Sequence, residues 1–91
     1  MTTYVGETET WVVEIKDPST GNYIDPDSVN YYLIDPAGTV VENGSATQIA
    51  VGQYEFSVTY SGSSGIWKVK VEAVTGTDKC ITVVEVRVEQ P

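Results

Sequence analysis

Asp17, Asp25 and Asp27 crowd into one stretch, DPSTGNYIDPD. Three carboxylates that converge with backbone carbonyls can hold a hard cation such as calcium, which makes these the candidate calcium ligands of the chain. Their spacing lacks the D-x-D-x-D-G order of a dedicated calcium loop. Asp before Pro also starts ordinary turns, and the pair recurs at Asp17-Pro18, Asp25-Pro26 and Asp35-Pro36. The same carboxylates therefore read as turn formers or as a cation site, and turn chemistry is the plainer account.

Aromatic rings are the second group with something to offer, either as stacking platforms for sugars or as contacts for a protein partner. Trp11, Tyr31, Tyr54, Phe56, Tyr60 and Trp67 alternate with polar neighbours in the manner of core residues. Tyr4, Tyr23 and Tyr32 are left over. Tyr23, in the long loop, and Tyr32 are the candidate partner contacts.

Histidine is absent, which removes the commonest general base, the usual Ser or Cys triad and most zinc sites together. Glu14, Glu55, Glu72 and Glu85 sit on the polar phase of their segments, as solvated faces do. No catalytic residue, metal or cofactor is assigned, and the chain is not read as an enzyme. Lys68, Lys70 and Arg87 suggest a basic patch, for which pairing with Glu14 or Glu85 across strands is the simpler account. The net charge of −8 and pI near 4.1 repel nucleic-acid phosphates, so nucleic acid is not expected as a partner. No apolar run approaches the roughly 20 residues of a membrane-spanning helix. The opening MTTYVGETETWVVEIKD lacks the basic and apolar regions of a secretory signal. The single Cys80 cannot form an internal disulfide, and its place in the pattern predicts a small buried hydrophobe.

These side chains need elements to carry them, and 91 residues suffice for one domain, residues 1–91. Period-two alternation runs nearly throughout, and no long segment keeps a helical period. Glu9 to Lys16 turns Trp11, Val13 and Ile15 to one face, in phase with Val5. Val29 to Ile34 is apolar on both faces, as a central strand would be. Thr39 to Glu42 and Thr47 to Ala50 are short strands, and Asn43-Gly44 between them is a reversal signal. Gln53 to Tyr60 alternates strictly. Beyond SGSSG, Trp67, Val69, Val71 and Ala73 oppose Lys68, Lys70 and Glu72. Lys79 to Glu89 changes phase between Val83 and Val84, which predicts a β-bulge or a change of packing partner there. About seven strands with turns at 8 to 12 residue spacing predict an all-β fold, an immunoglobulin-like or fibronectin III-like antiparallel β-sandwich.

The stretches VVEIKDPSTGNYIDPDSV, LIDPAGTVVENG, VGQYEFSV and SGIWKVKVEA resemble a recurrent prokaryotic and viral immunoglobulin-like module. Short stand-alone versions are similar to small proteins of tailed bacteriophages and archaeal viruses, associated with the head, the head-tail region or the tail. Longer versions resemble domains of archaeal and bacterial surface proteins. The resemblance implies a virion structural or accessory protein, such as a capsid decoration protein, displayed in multiple copies and bound to other virion proteins. It supplies no catalytic residue. The alternative it leaves open is an adhesion, spacer or carbohydrate-binding domain of a cell surface.

Overall fold

A computed structural model describes residues 2–91. Among them the alternating segments form strands and no helix. The strands are β1 (Thr3–Tyr4), β2 (Thr8–Glu14), β3 (Ser28–Ile34), β4 (Val40–Ser45), β5 (Thr47–Ala50), β6 (Gln53–Thr59), β7 (Gly65–Thr75) and β8 (Asp78–Glu89). One sheet has the order β1-β8-β7-β3-β4 and the other β2-β6-β5. Every pairing is antiparallel except that of β1, which runs parallel to the end of β8. The segments expected from the alternation are all present, and β1 is added to them.

Alternation fixes which residues lie between the sheets, because successive side chains point to opposite faces. Leu33, Phe56, Val58, Tyr60, Trp67, Val69 and Val88 form one buried cluster, and Val29, Tyr54 and Ala73 a second. Ala46 and Val71 pack against both. Two aromatic pairs cross between the layers. The Tyr31 ring on β3 lies flat on Phe56 of β6 at 4.5 Å between centroids, and Tyr60 meets Trp67 of β7 edge-on at 5.7 Å. The polar ends of the edge-on pair are served as well. Trp67 Nε1 donates to the Ser63 carbonyl at 2.9 Å, and the Tyr60 hydroxyl donates to Glu9. Burial and that bond to a carboxylate push the Tyr60 hydroxyl well above the ordinary tyrosine value, and the Trp11 indole beside it offsets part of the rise. Trp11 Nε1 itself has no acceptor at hydrogen-bonding geometry.

The two flanks close differently. On one, the chain leaves β4, passes Ala46, whose N–H donates to the Val29 carbonyl at 2.9 Å, and enters β5 in the opposite sheet. On the other, residues 5–7 cross between layers: Val5 N–H donates to the Glu89 carbonyl, Gly6 N–H to the Tyr60 carbonyl and Tyr60 N–H to the Glu7 carbonyl. That crossing closes only the end of the flank near Val88.

Three expectations are corrected. Asn43-Gly44 is not a reversal but lies inside β4, opposite Tyr32 and Tyr31. A Cβ on Gly44 would come within 3.2 Å of the Tyr31 hydroxyl, so the glycine makes room for a ring. The β7–β8 ladder runs without a shift from Gly65↔Val88 to Thr75↔Asp78, so no bulge interrupts Val83-Val84. Ile81 and Val83 instead face outward, and Val84, Val86 and Val88 inward. Cys80 shares that inward parity yet is exposed, because it sits at the open end of the flank, where the second sheet does not cover it.

Replacing Phe56 by Ala removes one ring of the stacked pair and should cost about 3–5 kcal/mol, read by urea unfolding. Tyr60 predicts an alkaline limit. Its hydroxyl stays protonated in the fold at a pH where the unfolded chain has begun to lose its protons, so stability should fall as pH rises above 10.0. Urea unfolding on either side of that pH should show Tyr60→Phe losing less than the wild type. Tyr54, raised by burial and by the charge of Asp25, acts in the same direction.

Candidate functional site

The three loop carboxylates are held apart by separate tasks. Asp17 Oδ1 accepts the Ser19 N–H at 2.8 Å, a local turn of the kind that Asp favours. Asp25 Oδ1 accepts the Gly52 N–H at 2.9 Å and Gln48 Nε2 at 2.8 Å, fixing the loop to the β5–β6 turn. Asp27 Oδ2 accepts the Gly76 N–H at 2.8 Å at the tip of the β7–β8 hairpin. They do not converge, and among the described residues no group of three or more His, Cys, Asp or Glu could hold a metal ion. Asp35 repeats the turn pattern, with Oδ1 accepting the N–H groups of Ala37 and Thr39 at 3.0 and 2.8 Å.

Tyr23 and Tyr32 are not brought together. Tyr23 bridges to Lys16 just beyond β2, donates its hydroxyl to Glu14, and has Lys16 Nζ at 5.1 Å from its ring. Its Cβ also lies against Gly52, where an added methyl would approach within 2.7 Å. The ring is thus a brace for the loop, although 39% of the residue is exposed. Tyr32 stands on the outer face of the five-stranded sheet, half-buried, with Lys70 Nζ at 5.0 Å from its ring.

That outer face has an ordered composition. Across β3, β7 and β8, one row holds Tyr32, Lys70 and Val83, the next Asn30, Glu72 and Ile81, and a third Ile34, Lys68 and Glu85. Of the pairing expected for the lysines, Glu85 does lie opposite Lys68, whereas Glu14 belongs to the other sheet and is bonded to Tyr23. Arg87 pairs with Glu89 at 3.3 Å and Lys79 with Glu72 at 3.7 Å. Ile81 and Val83 are each 51% exposed.

Beside this face lies the feature that sequence reasoning missed. β1 covers β8 only at Val88 and Glu89. From Asp78 to Arg87 the outer edge of β8 has no partner strand among the described residues. Backbone N–H and C=O groups along such an edge are a template for another strand. Behind it a groove of about 630 Å³ opens between β8 and β2, lined by Val13, Ile15, Ile24, Val71, Ala73 and Cys80 among others. The phase change at Val83-Val84 was the available signal: apolar residues on both parities of one strand need cover on both faces, and here a bare edge runs between them. What this arrangement can do is pair with an extended strand and bury apolar side chains on either side of it.

The sequence matches no protein-family model and no curated protein.

Asp25→Ala would leave the Gly52 N–H and the Gln48 amide without their acceptor. The expected cost is about 1–3 kcal/mol, measured by urea unfolding. Because the three carboxylates face different donors, calcium should leave the melting temperature of the wild-type protein unchanged in a thermal scan.

Proposed function

We propose that this chain is an immunoglobulin-like module that serves as a structural or accessory component of a virion, displayed in multiple copies and bound to other virion proteins. The observation that carries a contact role is the bare edge of β8, flanked by exposed Ile81 and Val83. A long regular edge with apolar neighbours is a surface for protein association.

The strand order supports the immunoglobulin-like type. In variable-type sandwiches the last two strands join the third and its successor in one sheet, and the second strand joins those that precede the last pair in the other. The orders β1-β8-β7-β3-β4 and β2-β6-β5 follow that plan. Two hallmarks of antibody domains differ. Cys80 stands alone, so no disulfide links the sheets, and the buried tryptophan, Trp67, is on β7 instead of the third strand of the plan. The two aromatic pairs between the layers take the place of that link.

The virion setting rests on the resemblance of the DPSTGNYIDPDSV, LIDPAGTVVENG and SGIWKVKVEA stretches to small virus-associated modules. The charge of −8 suits repeated display, because like-charged copies resist non-specific association. A sugar platform on Tyr23 and Tyr32 is less well supported, since one ring braces a loop and the other is capped by Lys70.

Quantitative mass spectrometry of purified particles tests the reading. The chain is expected there in many copies per particle. Its absence from particles, with recovery in the cell-surface fraction, would replace the virion role by an adhesion or spacer role.

A further inference from the structure

We propose that two copies of the chain join through β8, antiparallel about a two-fold axis at Thr82, fusing their five-stranded sheets into one. A closed dimer about a two-fold axis needs a surface complementary to itself. For the two sheets to continue with matching faces, opposed residues must share parity, so the axis passes through a residue of the strand.

Few positions are open to it. An axis at Val84 or beyond runs Cys80 or a later residue into Val88, whose edge β1 already occupies. An axis at Cys80 leaves the far half of the strand unused. At Val83 the pairing sets Lys79 against Arg87, two like charges, and Ile81 against Glu85. At Ile81 it sets Lys79 against Val83 and leaves Lys79 and Glu85 without each other.

With the axis at Thr82 the outer face matches itself. Ile81 meets Val83 of the second copy, Lys79 meets Glu85, and both contacts occur twice. On the inner face Cys80 meets Val84, also twice, and the two Thr82 side chains meet on the axis. The apolar residues exposed in the single chain, Ile81, Val83 and Val84, thereby find apolar neighbours across the junction. The strand is suited to this because its ladder with β7 has no register shift over its whole length.

The same junction explains the groove. Continuing the sheet past β8 brings the inward residues of the second copy, Thr82 and Val84, beside Cys80 and Thr82 of the first. The open flank between β8 and β2 becomes an interior channel between two small sheets instead of a surface cleft. The dimer takes up the β8 edge on which the proposed contact role rests, as the self-association step of that role, and it is tested on the purified chain alone.

Sedimentation velocity over a concentration series is the primary measurement, with circular dichroism to verify that each variant is folded. The wild-type chain should be a concentration-dependent dimer. Ile81→Lys keeps a partner within its own sheet, because residue 81 lies opposite Glu72, and should remain folded but monomeric. Lys79→Glu should weaken the dimer at least tenfold, and combining it with Glu85→Lys should recover most of the loss. The register is read by oxidation. In a Cys80→Ser background, Thr82→Cys places two thiols on the axis and should give a covalent dimer, whereas the native Cys80, four positions from its copy, should not. A wild-type chain that stays monomeric at its highest soluble concentration overturns the proposal. So does a dimer indifferent to Ile81→Lys, or one whose introduced thiols at position 82 fail to cross-link.

Discussion

Two ring pairs hold the layers of this protein together, Tyr31 flat against Phe56 and Tyr60 edge-on to Trp67. They set the separation and the lateral position of the sheets; Phe56, Tyr60 and Trp67 belong to the larger buried cluster and Tyr31 packs against it. Aromatic pairs of this kind contribute about 0.5–1.5 kcal/mol beyond the area they bury. Their larger effect is geometric, because bulky rings admit few arrangements at interior packing density. With Tyr31 on β3 and Trp67 on β7, the three-stranded sheet is centred over β3 and β7. Both outer strands of the wider sheet must then find cover elsewhere.

The chain supplies that cover unequally. Ala46 carries it directly from the wide sheet to the narrow one, which ties the two layers together on the β4–β5 flank. On the β8–β2 flank only residues 5–7 cross, at the Val88 end. Cover along the inward face of β8 therefore decays with distance from that crossing: Val88 is buried, Val86 half-buried, and Val84, Thr82 and Cys80 exposed. The bare strand edge and the groove behind it are two views of one deficit in strand pairing.

The sequence was most legible where one face is core and the other wet. The alternation of Tyr54, Phe56, Val58 and Tyr60 against Gln53, Glu55, Ser57 and Thr59 located β6 and its inward face without ambiguity. Turn residues marked the 17–27 loop and the Asp35–Gly38 turn for reasons the bonds of Asp17 and Asp35 bear out. Legibility ended where a residue's role depends on a neighbour distant in sequence. Gly44 is a reversal signal in isolation and a seat for the Tyr31 ring in the fold. Cys80 has the parity of a buried residue and lies where cover has run out. Asp25 and Asp27 look like local turn formers, yet each is bonded to a backbone N–H far along the chain, at Gly52 and Gly76. The contact edge was half legible: the phase change at Val83-Val84 marked apolar residues on both faces of the strand, but which edge lacks a partner is a property of topology.

The edges of the two sheets differ in how they meet solvent, and the difference isolates β8. Register shifts interrupt β4 between Leu33 and Ile34 of its partner and β5 between Gln48 and Ala50, and such irregularities discourage further pairing. β2 is regular, but it is short and its outward side chains are Thr8, Thr10, Val12 and Glu14, of which both threonines are already bonded across to β6. β8 is the longest strand, unbroken in register, and its outward charges sit toward the ends, leaving Ile81 and Val83 at the centre. A strand edge selected only for solubility would carry its lysines in the middle, where they cost an incoming strand the most desolvation. Charges placed at the ends and hydrophobes at the centre do the reverse: they leave the centre open to pairing and make the partner's register matter.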